Sequence, residues 1–404
     1  MKQGLLVIGG GILQIWSLKK ARELNLTTYL TDGSKDCLAR KYADFFYQID
    51  TKDIEGNANL ALMLRKKGKI SGVYTQGTDV EYTVAYAATK SGLFSIKPKT
   101  ALNCNDKYLT RLMLSREGID DTKFAKVETL AELRKAIKKV GLPCFVKPAD
   151  NSASRGVFRI RSLVNLDSIF KKSISSCSLA RHLIVESEIK GEEFSIDTVL
   201  YKGKLYPAGI SDRMFLKKSK FAVQAASRTP SMLPESKQEE MYNLMARAAK
   251  ALGVDNGAFK GDLALDRDNK VRVIELTART SGGFDSQLRK PLSFGIDLIK
   301  ATMDIALGKP LDPTDLIPKW IKWSSTVSIF PRPGKVKKIT GTSDLLKIKG
   351  VSEIIMLVKS GDIIKPYTDN AKRTNYIICK ADTLEELKLV EKKALKTLKI
   401  ETEK

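Results

Sequence analysis

The sequence predicts an α/β unit followed by α+β units, on three observations. Strand-like and amphipathic helix-like segments alternate through the first hundred residues, as they do when a parallel sheet carries helices on both faces. From about Thr100 the order changes to strand pairs joined by short loops and interleaved with capped helices. A proline-containing link, "GKPLDPTDLIPKW", marks a further boundary near residues 310–318, and short strands follow it. The 404 residues suffice for two or three domains with a large core.

In the first unit "LLVIG", "TTYLTD" and "GVYTQGTD" read as strands, and "ILQIWSLKKAREL" and "VEYTVAYAATKSG" as helices. In the second, "NDKYLTRLMLSREG" is a helix capped by Asn105 or Asp106 and ended by Gly118. "TLAELRKAIKKVG" has Thr129 and Glu132 as a capping box and Gly141 as its stop; "SKQEEMYNLMARAAKALG" repeats the pattern with Ser236, Glu239 and Gly253. "PCFVKP" and "VFRIR" flank the small polar loop "ADNSASRG" as a hairpin, and "HLIVES", "EFSIDTVLY" and "KLYPAGI" are further strands. "GAFKGDLALD" and "KVRVIELT", joined by "RDN", form an antiparallel pair. Beyond the link, "STVSIF", "EIIMLV" and "NYIICKA" are short strands, and a last helix starts near Asp382.

Composition excludes several chemistries. A single histidine, His182, argues against His-based triads and multi-His metal sites, so any metal would be a hard ion held by carboxylates. The five cysteines are scattered without metal-ligand spacing and read as reduced thiols of a cytoplasmic protein. No apolar run approaches a membrane span, and the start lacks a signal peptide's pattern. The net charge of +24 suits anionic partners, yet the lysines are spread along the chain. No basic run is interleaved with aromatics, so a specific nucleic-acid surface is not expected.

Four stretches carry chemistry. "VIGGGILQ" sets Gly9, Gly10 and Gly11 between a strand and a helix, but Gln14 stands where a dinucleotide fingerprint needs its third small residue. Such a turn also lets a helix N-terminus approach any anion. In "CFVKPADNSASRGV", Lys147 ends an apolar strand before a loop rich in free N–H groups, which suits a phosphate cover; a plain hairpin with a snorkelling lysine is the alternative. "LIVESEIKGEEFSID" carries Glu186 and Glu193, either surface carboxylates or acceptors for a nucleoside. In "KGDLALDRDNKVRVIELTARTSGG", Asp262 and Glu275 lie on neighbouring antiparallel strands and can converge on one face. Two converging carboxylates need a cation or a proton between them, and hard oxygen ligands suit Mg²⁺. Arg279 would then clamp phosphate, with Gly282-Gly283 as an anion nest.

Taken in order, "NDKYLTR", "CFVKP", the small-residue loop, "VESEIKGEEFSID" and "GDLAL…ELTAR" resemble the ATP-grasp superfamily, in its carboxylate–amine ligase branch, over nearly the whole chain. The resemblance implies a Rossmann-like pre-ATP-grasp domain (1–104), an ATP-grasp domain (105–315, with a mobile lid at about 119–190) and a small C-terminal domain (316–404). It implies ATP and Mg²⁺ (or Mn²⁺) as cofactors, and small carboxylate and amine substrates joined through an acyl phosphate. A homodimer is among the expected assemblies. Lys107 and Lys147 would hold phosphates, with Ser152, Ser154 and Gly156 in the covering loop. Glu186 would begin the segment meeting adenine, with the backbone of Ser187 to Ile189 nearby, and Glu193 would accept ribose hydroxyls. Lys260 and Arg279 would act at the reacting groups, and Asp262 and Glu275 would bind the metal. Thr277 departs from the asparagine usual at its position, though a hydroxyl can still ligate Mg²⁺ or hold a ligating water. Gly10, Gly11, Thr78, Asp79, Arg289 and Arg373 are the substrate candidates; an acid and an arginine there favour an amino acid. Two other readings stand beside this one: a nicotinamide-dependent oxidoreductase built on the glycine turn, and a non-catalytic nucleotide- or nucleic-acid-binding protein.

Overall fold

The computed structural model describes residues 3–216, 219 and 221–403. The chain opens on a parallel sheet of strands β1 (Gly4–Ile8), β2 (Thr27–Asp32), β3 (Phe45–Gln48) and β4 (Gly72–Tyr74), in the order β3-β2-β1-β4. Every residue of β1 is buried, as expected of a central strand covered on both faces. Helices Gln14–Glu23, Ile54–Lys66 and Glu81–Lys90 supply the cover.

A second, antiparallel sheet joins β5 (Phe124–Val127), β6 (Cys144–Pro148), β7 (Phe158–Ile160) and β8 (Leu183–Ser187) in the order β5-β8-β6-β7. The hairpin around the polar loop is β6–β7, paired from Cys144 with Ile160 to Val146 with Phe158. Helix Leu130–Val140 packs Leu133, Ala136, Ile137 and Val140 against this sheet. Its N-terminus shows how a capping box can slip. Thr129 accepts from the Glu132 N–H, but the Glu132 carboxylate accepts from Glu128 N at 2.7 Å, one residue before the cap. Ser236 is not a cap either. Helix Glu235–Leu252 begins after Pro234, whose extended backbone sets the start and leaves Ser236 inside the first turn.

The largest sheet, of eight strands among the described residues, is antiparallel throughout. Its first five strands are β9 (Gly191–Tyr201), β10 (Lys204–Phe215), β11 (Gln224–Thr229), β12 (Gly257–Asp266) and β13 (Val271–Thr277). The C-terminal part supplies β14 (Trp323–Val327), β15 (Gly334–Thr340), β16 (Val351–Met356), β17 (Ile363–Ile364), β18 (Asn375–Ala381) and β19 (Lys399–Glu403). The order β13-β12-β9-β10-β11-β14-β18-β16 carries hydrogen bonding across the proline link, because β14 pairs with β11. β17, β15 and β19 form a small separate sheet. Helix Glu235–Leu252 fills the core beneath β9, β10 and β12 with Met241, Leu244, Met245 and Leu252. The parallel domain docks on this body by packing Leu5, Val7 and Leu18 with Ile299, Met303 and Leu307, and through polar contacts: Gln76 Nε2 donates to Ser286 Oγ at 2.9 Å, and Tyr74 Oη meets Thr302 Oγ1 at 3.0 Å.

Candidate active site

Two neighbouring cavities lie between the lid sheet, the large sheet and the first domain. The first is lined by Lys107, Phe145, Lys147, Ser152, Ser154, Glu186, Ser187, Ile189, Glu193, Arg213, Asp262 and Glu275, among others. These are nearly all the residues expected around a nucleotide. Gly156 lies outside the lining. At φ +70° it turns the loop where a Cβ would meet Ser176 and Pro148 within 3 Å, so its part is conformational.

Charge in this cavity is balanced by pairs. Lys107, at the start of helix Lys107–Arg116 behind the Asp106 cap, meets Glu275 Oε1 at 2.8 Å and donates to Asn151 O at 2.7 Å. Lys147 meets Glu186 Oε2 at 2.5 Å, and Arg111 meets Glu186 Oε1 at 2.6 Å. Burial opposes the Glu186 charge, but the Arg111 and Lys147 cations more than offset it and pull the carboxyl down to about 2. Both oxygens of Glu186 are thus taken by cations. Arg111 was not anticipated. Its position four residues after Lys107, on the same helix face, is the signal that could have found it.

Asp262 and Glu275 stand directly opposite each other in the β12–β13 register, with a bulge just after Asp262. Protein cations already pair with both. Asp262 Oδ2 meets Lys260 Nζ at 2.5 Å and Arg213 at 3.1 Å, and Glu275 holds Lys107. Burial opposes the Glu275 charge, yet Lys107 and Lys260 keep it far below the ordinary carboxylate range. Arg213, on β10, also meets Glu193 at 3.1 Å; that link was missed because its partners lie on two other strands. Asp262 Oδ1 and Thr277 Oγ1 are buried without a hydrogen-bond partner. A free Asp262 oxygen, the facing Glu275 carboxylate and the Thr277 hydroxyl are hard donors of the kind a magnesium ion takes, so the residues fit that ion.

The second cavity, about 290 Å³, is lined by Asp79, Ser195, Arg213, Lys260, Asp262, Glu275, Arg279, Gly282, Gly283, Asp285, Arg289 and Arg373, among others. Arg279 Nε donates to Asp79 Oδ1 at 2.6 Å and lies 3.4 Å from Glu81. Burial disfavours the Arg279 charge, but Asp79 and Glu81 overcome that and raise its pKa. Arg289 pairs with Asp285 at 2.8 Å. Arg373 is 8% exposed and has no carboxylate partner among the described residues. Its NH2 donates to Asn370 Oδ1 at 3.0 Å and to Gln224 Oε1 at 3.4 Å, while its Nε has no partner.

Gly10, Gly11 and Thr78 line neither cavity. Gly10 N donates to Asp32 Oδ2 at 2.7 Å, and a Cβ on Gly10 would meet Cys37 Sγ at 2.4 Å. Gln14 is buried and donates to Gln76 O at 2.5 Å and Thr78 Oγ1 at 2.8 Å. Within the glycine turn, Asp32 is engaged by the Gly10 N–H.

Comparison with known proteins bears on this geometry. Residues 140–287 match the ATP-grasp domain, and residues 327–403 match the L-amino acid ligase C-terminal domain 2. The chain carries an ATP-grasp domain. By class it is an ATP-dependent ligase. The L-arginine-specific L-amino acid ligase of Bacillus subtilis is 24% identical over 86% of this chain and 84% of its own length. Alanine–anticapsin ligase of the same species is 24% identical over 62% of this chain and 57% of its own. The crystal structure of L-amino acid ligase from Bacillus licheniformis superposes on this ATP-grasp chain with a TM-score of 0.85 at 22% identity, covering 100% of this chain and 99% of that one, a likeness of fold. Among the described residues of the ATP-grasp chain, no helix is long and apolar enough to cross a membrane.

Proposed function

We propose that the protein joins a carboxylate to an amine through an acyl phosphate, with amino acids as its substrates and ADP and phosphate as the other products. One observation carries this reading. The cavity expected for the nucleotide and the cavity rich in arginine share a wall of Ser152, Ala153, Ser154, Arg213, Asp262 and Glu275. Phosphoryl transfer between two substrates needs such a shared wall, since positioning and charge neutralisation do most of the work.

In this reading Lys107 and Lys147 exchange part of their pairing with Glu275 and Glu186 for phosphate oxygens, and Glu193 takes the ribose hydroxyls. Asp262 and Glu275, with Thr277 beside them, would hold magnesium, which neutralises charge on the transferring phosphoryl group. A substrate carboxylate oxygen bonds to the γ-phosphorus and ADP leaves. The amine nitrogen then bonds to the acyl carbon, phosphate leaves with the bridging oxygen, and the nitrogen loses a proton. Lys260 and Arg279 face the cavity where the oxyanions of these steps develop. Asp79 suits an ammonium, and Arg289 and Arg373 suit a carboxylate. An ammonium and a carboxylate together define an amino acid, and this supports the substrate class. No protein nucleophile is required.

A phosphate-release screen of amino-acid pairs with Mg-ATP tests the reading. Release should require both partners, and an amide should accumulate. Background release for every pair would overturn it.

A further inference from the structure

We infer that Asn370 is a positioning residue that latches the loop Asp150–Gly156 over both cavities and ties that latch to Arg373; its chemical consequence rests on the ligase reading above. Asn370 belongs to a 3-10 turn, Asn370–Lys372, in the C-terminal part of the chain, yet it reaches the loop of the lid sheet. Its backbone N–H donates to Ala153 O at 2.9 Å, and its Nδ2 lies 3.4 Å from Ser154 Oγ as a donor. The Ser154 hydroxyl in turn donates to Ala222 O at 3.2 Å. On its other side, Asn370 Oδ1 accepts from Gln224 N at 2.8 Å and from Arg373 NH2 at 3.0 Å. One side chain thus joins the loop, the start of β11 and a cation of the substrate cavity.

The loop needs an outside hold. Ala153 and Ser154 sit at φ 57° and 63°, in the left-handed region that residues with side chains disfavour. Both residues line both cavities. With the latch made, the nucleotide-side cavity is about 130 Å³. Small-molecule pockets begin at roughly 300 Å³, so a loop that lifts to admit a nucleotide and then settles again fits this volume. Arg373 bonds only neutral acceptors among the described residues. An anionic substrate would fix its guanidinium, and with it the Asn370 oxygen to which it donates. A filled substrate cavity then favours the settled loop, which excludes water. Water reaching an acyl phosphate would return carboxylate and phosphate with no amide.

Hydrogen exchange over residues 150–156 of the full chain, without ligand, tests the latch. In Asn370→Ala these amides should exchange about tenfold faster than in the wild type, with the melting temperature within about 2 °C. Asn370→Asp keeps the acceptor for Gln224 and Arg373 but loses the donor to Ser154, and should fall between. With Mg-ATP and an amino-acid pair that passes the screen, phosphate released per amide formed should rise several-fold in Asn370→Ala. Equal exchange in the wild type and both variants would overturn the latch. Faster exchange with an unchanged phosphate-to-amide ratio would overturn its protective role. A wild type that releases no amine-dependent phosphate would sink the ligase reading alone, since the exchange difference would still be there.

Discussion

The two cavities differ at one cation. On the nucleotide side every lining cation already has a carboxylate: Lys107 has Glu275, Lys147 has Glu186, and Arg213 has Glu193 and Asp262. On the substrate side Arg373 stands among neutral acceptors among the described residues. Balanced pairs let a cleft fold without its ligand and hand over its cations when phosphate and metal arrive together. An unpaired buried cation costs stability until a ligand neutralises it, and so it selects for an anion. The difference separates cations that the fold itself neutralises from one that it leaves for an anion to neutralise.

The largest effect should come from the shared wall. Glu275→Gln should lower phosphate release by about 10³-fold. Because the change strips Lys107 of its partner, it should also cost about 3 kcal/mol of apo stability. Lys107→Met combined with Glu275→Gln removes both charges. Thermal melts should show most of the stability regained while activity stays lost. If activity returned with stability, the wall would be structural only.

Next comes the unpaired cation. Arg373→Met should raise KM for the amino-acid substrate by about 10- to 100-fold, as expected for a lost charge-assisted bond, and leave KM for ATP nearly unchanged. Its apo melting temperature should hold or rise, the reverse of Glu275→Gln. A fall in melting temperature with KM unmoved would erase the contrast between the cavities. Lys147→Ala is the matching probe on the nucleotide side. It should weaken ATP by about 1.5–3 kcal/mol and adenosine much less, measured by calorimetry. Equal losses for both ligands would remove the phosphate assignment.

The smallest effects are in pH dependence, and two glutamates should differ in sign. Glu186 is depressed to about 2 from an ordinary 4.5, so its contribution is complete above pH 4.5 and is lost as pH falls toward 2. Glu81 is raised to about 7, first by burial and then by Asp79, against the Arg279 charge. Its favourable contribution is present below pH 4.5 and is lost as pH rises through 7. Denaturant titrations should therefore find Glu81→Gln gaining on the wild type between pH 5 and pH 8. Glu186→Gln should show a shallower acid limb between pH 4.5 and pH 2. The same slope for both variants would mean that the two surroundings do not differ as described.

The order of the motifs determined the class of fold and most of the nucleotide cavity. Lys147, Glu186, Glu193 and Glu275 are legible because each sits near a strand end, where periodicity of two places it on a known face. Register made the Asp262–Glu275 pair readable as well, since a short turn leaves few ways to align β12 with β13. Tertiary structure alone decided the partners. Arg213 joins Glu193 and Asp262 only because β10, β9 and β12 are neighbours in one sheet. Arg279 meets Asp79 only because the first domain docks on the large sheet. Gly10 and Gly11, expected as substrate contacts, line neither cavity, and Asp32 holds the Gly10 N–H. The physical reason is range. Propensity, capping and alternation act over a few residues and are written in the local sequence. A buried charge instead finds its counter-charge through the packing of distant strands, and Asn370, seated between the lid loop and Arg373, has no local signature at all.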